Sequence, residues 1–316
     1  MSEEDDLSFI IPDEYIGNRL DAVVSELCQT YSRSQLQKWI KSGNILVNGS
    51  TAKVRDKVVG GEEVQISPVQ TKRTHDLPEA IKLNIVYEDE SLLVINKPAG
   101  LVVHPGAGNH TGTLVNGLLA HNEQQKNLPR AGIVHRLDKD TTGLMMVAKT
   151  LEAHTALVNQ LQSREVKREY LALVSTDVIA GATIEGNIGR HPRDRKCMTV
   201  LTAGGGKEAI THYRIEQRLY HHTLLRVNLE TGRTHQIRVH LAWKHMPILG
   251  DRVYGGRARV PAKIDQELRD KIRSMSRQAL HATRLTIEHP LSGEEISWEA
   301  GLPDDMQQMV DVLDIS

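Results

Sequence analysis

Between Gly132 and Ala148 a charged loop runs directly into a wholly apolar segment: Gly-Ile-Val-His-Arg-Leu-Asp-Lys-Asp-Thr-Thr-Gly, then Leu-Met-Met-Val-Ala. The second part lacks the polar alternation of a half-exposed strand, so it reads as a strand enclosed by core. The first part carries His135, Arg136, Asp138, Lys139 and Asp140. A fold that buries residues 144–148 has to bring these groups to the rim of its core. A carboxylate there is partly desolvated and suited to act as a nucleophile or base. A charged loop taken alone is more often a solvated turn, here capped by Asp140, Thr141 and Thr142, so the functional reading needs support from elsewhere in the chain.

Two further segments combine charge with the ends of regular structure. Lys167-Arg168-Glu169-Tyr170 enters an apolar run over residues 171–174. Tyr170 by itself reads as a core aromatic with its hydroxyl at the surface. Gly232-Arg233-Thr234-His235-Gln236-Ile237-Arg238-Val239-His240 follows a strand pattern over residues 223–229. Thr234 is placed to cap a helix through Ile237, Val239 and Leu241, whose first N–H groups and Arg233 would face an anion. Arg238 lies within about a turn of Arg233, and the spacing leaves phosphate binding and an internal ion pair equally open.

Residues 1–16 read as an acidic tail and residues 17–66 as a small module. Leu20, Val23, Val24 and Leu27 have the spacing of an amphipathic helix. A second helix is predicted from Ser34 to Ile40, capped by Ser32 and stopped by Gly43-Asn44. Strands over 45–47 and 58–66 follow, with Asn48-Gly49 as a turn. Arg33, Lys38 and Lys41 lie on or beside the second helix. Residues 67–80, polar and containing Pro68 and Pro78, read as a linker. From Ile81 onward, strand patterns at 85–87, 92–95, 144–148, 170–174, 210–215 and 223–229 follow one another closely, with a helix at 151–163. This favours an α+β domain over residues 81–316, built on a mixed, largely antiparallel sheet, rather than a doubly wound parallel sheet.

Composition narrows the function. With 316 residues there is room for one large core and a small extra domain. A net charge of −1 and a pI of about 7.0 argue against a nonspecific coat for a polyanion, but not against a local basic site. Aromatic residues make up 3%, with Phe9 the sole phenylalanine, too few for a base-stacking platform. Cys28 and Cys197 stand far apart and fit a reducing cytosol better than a disulfide framework or a zinc cage. No apolar leader or 18-residue apolar window is present, so a cytoplasmic protein with no membrane contact is expected. Gly204-Gly205-Gly206-Lys207 fails the phosphate-loop pattern and reads as a hairpin turn, and Gly106-Ala107-Gly108 also reads as a turn. His235 and His240 are five apart, not the four of a helical zinc pair, so no metal is expected. His104, His212 and His281 read as hydrogen-bonded packing residues.

The string HRLDKDTTGL with its apolar strand resembles the signature of the RluA-type pseudouridine synthases. KREYLALV and TGRTHQIRVH resemble that family's second and third motifs, in the same order. VYEDESLLVINKPAGLVVHPG, from Val86 to Gly106, resembles its opening strand pair, and residues 17–66 resemble an S4 RNA-binding module. The likeness covers nearly the whole chain after the tail. Thr142 stands where the family commonly has serine, and both supply a hydroxyl. The resemblance implies an isomerase that turns specific uridines of RNA into pseudouridine without cofactor or metal. It is nearest to members acting on large-subunit rRNA, free or in the assembling ribosomal subunit. By the same resemblance Asp138 is the catalytic aspartate, Arg233 the arginine ion-paired with it, and Tyr170 the tyrosine stacked on the target base. Ile237 is then a pocket wall, and Arg136 the arginine that enters the RNA where the base leaves. Arg238 joins the substrate contacts, and Arg33, Lys38 and Lys41 carry RNA binding by the S4 module. The chemistry agrees. A carboxylate can attack C1′ or C6 of uridine. An opposite charge supports it in a site that excludes water, and the base has to leave a duplex before it can turn. Two alternatives remain: a noncatalytic S4-type RNA-binding or ribosome-assembly protein, and a hydrolase using Asp138 with His135, for which no third orienting residue is evident.

Overall fold

The computed structural model describes residues 7–28, 31, 33–68, 77–106, 108–194, 197–202, 204–256 and 264–314. They form two compact units, one up to Arg73 and one from Thr74. Residues 1–6 of the expected tail, the proposed cap Ser32, residues 69–76 of the expected linker and Ala107 lie outside the described residues.

The first unit contains β1 (Leu7–Ile10), α1 (Leu20–Leu27), α2 (Arg33–Ser42), β2 (Ile45–Val47), β3 (Ser50–Thr51) and β4 (Glu63–Ile66). Its antiparallel sheet runs β1-β4-β2-β3. Leu20, Val23 and Val24 pack against Leu36, Trp39 and Ile40 and against Ile45, Val64 and Ile66, as the helical spacing of α1 requires. The tail over residues 1–16 is corrected: residues 7–10 pair with β4, and Ile11 is fully buried. Four residues behind an acidic run are too few to show a period. The strand expected over 58–66 starts only at Glu63, because Gly60 and Gly61 both take left-handed φ (87° and 74°) and turn the chain.

The second unit contains β5 (Ile85–Glu88), β6 (Leu92–Lys97), α3 (Leu114–His121), β7 (Thr142–Ala148), α4 (Leu151–Gln162), β8 (Lys167–Val174), β9 (Ala182–Glu185), β10 (Ile188–Arg190), β11 (Met198–Val200), β12 (Ile210–Leu219), β13 (His222–Leu229), α5 (Gln236–Trp243), α6 (Gln266–Ser274), β14 (Leu280–Glu288), β15 (Glu295–Glu299) and α7 (Asp304–Leu313). Its main sheet runs β5-β6-β7-β14-β8-β13-β12-β9, with β15 on β14; β10 and β11 form a separate ribbon. The pairing is antiparallel except between β7 and β14, so the mixed, largely antiparallel α+β architecture is as expected. Residues 77–80 belong to this unit rather than to a linker: Asn116 donates to the Leu77 carbonyl at 2.8 Å, and Gly112 N donates to the Glu79 carboxylate at 3.1 Å.

β7 is enclosed on both faces. Met145 and Val147 join a core with Leu114 and Leu118 of α3, Ile237 and Leu241 of α5, and Met306 of α7. Leu144, Met146 and Ala148 join a second core with Ala153 and Leu157 of α4. That double burial accounts for the missing polar alternation. At the start of the strand Gly143 has φ +113°, and a Cβ there would stand 2.2 Å from the Ala282 carbonyl oxygen of β14. Glycine alone lets the two strands meet. Beside it, the Thr142 hydroxyl bonds His281 Nδ1 at 2.8 Å, and His281 Nε2 donates to the Ala300 carbonyl at 3.2 Å. His281 is thus a satisfied packing residue. Among the described residues no helix is long and apolar enough to cross a membrane.

Candidate active site

Asp138 projects from the loop between Ile133 and β7. The loop is fixed by its backbone. Lys97, fully buried at the end of β6, donates to the carbonyls of Pro98 (2.8 Å), Leu101 (2.9 Å) and Lys139 (2.8 Å). Burial pushes its pKa down to about 8. Arg277 donates to the Asp140 carbonyl at 3.1 Å while paired with Asp305 at 2.7 Å. Two buried cations therefore hold the two carbonyls that follow Asp138. His135 Nε2 accepts from Met146 N at 3.1 Å, tying the loop to β7. Burial, and then the charge of Arg168, push its pKa down to about 3. His135 is thus a neutral structural acceptor, and the Asp138–His135 pair of the hydrolase alternative is not formed.

The carboxylate of Asp138 meets Arg238 instead of Arg233. Arg238 Nη1 lies 2.8 Å from Asp138 Oδ2, whereas Arg233 Nε donates to the Glu208 carbonyl at 2.9 Å. The expected Arg233–Asp138 ion pair is corrected for a local reason. The helix starts at Gln236, and its cap is His235 in a left-handed conformation (φ 56°), not Thr234. The Gln236 side chain accepts from Arg233 N (2.9 Å) and from the Thr231 hydroxyl (2.8 Å), and donates to the Ile210 carbonyl (2.9 Å). Residues 231–235 thus form a tight turn, and Arg238 in the first turn of α5 faces Asp138.

Of the two readings open for Arg238, the internal ion pair is the one found. Its Nε and Nη2 bind Asp251 at 2.7 and 3.0 Å, and its guanidinium carbon stands 5.0 Å from the centre of the Tyr254 ring. Asp251 in turn accepts from the backbone N–H groups of Val253 and Tyr254. The Tyr254 hydroxyl accepts from Met198 N at 2.9 Å and shares a hydrogen bond with His235 Nδ1 at 2.7 Å. Burial lowers the His235 pKa, and its Nε2 lies 3.7 Å from Asp138 Oδ1. His235, Asp251 and Tyr254 were not picked out as site residues from the sequence. For His235 the signal was its place in the third motif; Asp251 and Tyr254 carry none.

Asp138, His235 and Arg238 open onto a cleft of about 610 Å³ that also presents Tyr170, Ile237, Leu137 and the arginines 130, 136, 164, 168 and 233. Arginine dominates the lining, with Asp138 and Glu230 as its carboxylates, so a locally basic site exists inside a chain of net charge −1. Tyr170 lies mid-sheet, between Val227 of β13 and Ala282 of β14, and burial raises its pKa. Ile237 is buried, and Arg136 is exposed. One cleft thus gathers Asp138, Tyr170, Arg136, Arg233, Ile237 and Arg238. In the other unit Arg33, Lys38 and Lys41 are all exposed, and Arg33 is bound to the buried Asp21 at 2.7 and 3.0 Å. Among the described residues no three His, Cys, Asp or Glu side chains converge as a metal-ligand set.

The models of two protein families match the chain: RNA pseudouridylate synthase over residues 91–243 and S4 domain over residues 18–64. A ribosomal large subunit pseudouridine synthase D of Xanthomonas campestris is 51% identical over 96% of this chain and 91% of its own length. The protein of the same name from Escherichia coli K12 is 48% identical over 99% and 96%. The solved structure of human RNA Pseudouridylate Synthase Domain Containing 4 superposes with a TM-score of 0.56 at 25% identity, over 73% of this chain and 92% of that one. With such identity over nearly its full length, and with the charged loop, tyrosine strand and arginine helix converging on one basic cleft, the chain belongs to the family of RNA pseudouridine synthases, isomerases of uridine in RNA.

Proposed function

We propose that the chain converts specific uridines of large-subunit rRNA to pseudouridine in the cytoplasm, with Asp138 as the nucleophile. The observation that carries this reading is the Asp138 carboxylate, held 2.8 Å from a buried guanidinium at the floor of an arginine-lined cleft. The reaction breaks N1–C1′, turns the base and forms C5–C1′; C5 gives up a proton and N1 gains one. Asp138 adds to C1′, displacing the uracil as an anion, or to C6, and leaves again at the end, so atoms and charge balance within the substrate. Tyr170 and Ile237 flank the extruded base, and Arg136 at the exposed rim fills the gap it leaves in the RNA. Arg238 offers the carboxylate a fixed opposite charge, and the His235 ring stands beside its other oxygen, with Nε2 at 3.7 Å. Arg233 reaches phosphate from the outer wall. Lys38 and Lys41 of the S4 unit add backbone contacts. The substrate assignment follows the names of the relatives and the basic cleft.

The test is tritium release from large-subunit rRNA transcripts labelled at C5 of uridine. Asp138→Asn is expected to lower the rate by about 10³-fold or more; wild-type turnover by this variant would remove the nucleophile assignment. Pseudouridine maps of large-subunit rRNA from cells with and without the gene test the substrate, and identical maps would reject it.

A further inference from the structure

Four lysine or arginine side chains are buried among the described residues: Lys97, Arg168, Arg238 and Arg277. Three have clear partners. Lys97 has three carbonyls, Arg238 two carboxylates, and Arg277 one carboxylate and two carbonyls. The Arg168 side chain, on a residue only 8% exposed, has neither ion pair nor hydrogen bond among the described residues, and its Nε is buried without a partner. A cation taken out of water and left unpaired is costly to a fold, and proteins retain such groups where a ligand supplies the missing charge.

The position of Arg168 identifies that ligand. It stands two residues before Tyr170 on β8, so both side chains lie on one face of the strand, and both line the cleft. They are about 6.7 Å apart along the strand, a separation on the scale of the base and the backbone of one nucleotide. Toward the outer wall, a Cβ on Gly232 would come 2.8 Å from Arg168 Nη1, so the glycine leaves open the space into which the guanidinium reaches. RNA carries its negative charge on phosphodiesters alone, and a planar guanidinium matches two phosphate oxygens. Resting on the pseudouridine synthase reading of the cleft, we infer that Arg168 receives a phosphodiester next to the flipped uridine, holding the backbone at Gly232 while the base lies at Tyr170. A uracil carbonyl in its place would leave the charge unbalanced.

The test uses the full chain and a fluorescein-labelled oligouridylate, whose bases enter the cleft without leaving a duplex. Arg168→Gln is expected to weaken binding roughly tenfold at low salt. It should also reduce the slope of log Kd against log salt by about 0.7, the counterion release of one single-strand phosphate, and Arg168→Lys should keep that slope. In the absence of RNA, Arg168→Gln is expected to raise the melting temperature, since it removes an unpaired buried charge; a packing role predicts the opposite. An unchanged affinity and slope in the glutamine variant would overturn the inference. So would a loss of kcat at constant KM on rRNA transcripts, which would put the guanidinium on the uracil. Binding is read without turnover, so an inactive wild-type enzyme on large-subunit rRNA would reject the substrate assignment and leave the Arg168 result decided by the oligouridylate.

Discussion

Asp251 holds Arg238 at two points, 2.7 and 3.0 Å, and leaves its remaining nitrogen 2.8 Å from Asp138. Because Asp251 is buried and itself accepts two backbone N–H bonds, the guanidinium cannot swing away as substrate enters or product leaves. Asp138 faces a charge whose position is set before RNA arrives, which is the condition for electrostatic help without reorganisation.

Replacing Asp251 should therefore damage both the fold and the chemistry. Asp251→Asn leaves the buried Arg238 with a single carboxylate. Breaking a buried pair in this way is expected to destabilise the protein by about 3 kcal/mol, measured by urea titration. A guanidinium displaced by about 1 Å is expected to lower kcat by roughly 10²-fold. Wild-type kcat in a folded Asp251→Asn protein would show that the anchor is dispensable.

Arg233 and Arg238 should separate kinetically. Arg233, bonded to the Glu208 carbonyl on the cleft wall, is expected to act through RNA affinity: Arg233→Ala raises KM by about three- to tenfold with kcat nearly held. Arg238→Ala is expected to lower kcat by about 10²-fold or more. Steady-state kinetics with tritium-labelled transcripts would reveal the reverse pattern if Arg233 were the partner of Asp138 in the complex.

Acid should weaken the fold through His135. Its pKa is about 3 in the folded chain against 6.5 for an ordinary histidine. Between those values the unfolded chain binds a proton that the folded chain refuses, so stability falls as pH drops below 6.5, by at most about 1.4 kcal/mol per pH unit. Above pH 6.5 the group adds no slope. His135→Gln, whose amide oxygen can accept from Met146 N, should flatten the decline in the urea midpoint between pH 6.5 and pH 4.5. Parallel declines in the two proteins would show that His135 takes up its proton without unfolding.

Gly143→Ala should break the joint between β7 and β14. The added Cβ meets the Ala282 carbonyl oxygen at 2.2 Å and sits on a backbone of φ +113°. Overpacking and strain together are expected to cost about 3 kcal/mol or more. Denaturant titration checks this, and a cost under about 1 kcal/mol would mean that the strands separate with ease.

The parts of the fold set by local pattern were visible in the sequence. β7 showed in its unbroken apolar run, and α1 in the spacing of Leu20, Val23 and Val24. The charged loop at the rim of the core followed from the two together. What depended on long-range geometry was hidden. Arg233 and Arg238 share one short segment, and the choice between them rests on His235 adopting a left-handed φ, for which a non-glycine residue gives no warning. Asp251 stands thirteen residues beyond Arg238 with no motif around it. Arg168 lay in a recognised motif, yet only its burial without a partner distinguishes it from an ordinary surface arginine at a strand entrance. β1 was hidden because four residues cannot display a period.

The parallel contact of β7 with β14 also sets an order of events during synthesis. The strand that sits between β7 and β8 follows both of them in the chain and begins only at Leu280, and until residues 280–288 emerge both neighbours expose unpaired edges. The grip of Arg277 on the Asp140 carbonyl is missing for the same interval. A nascent or truncated chain thus carries Asp138 without the support of its loop, and its open edges favour aggregation over activity. Modification of RNA by such a protein waits for β14.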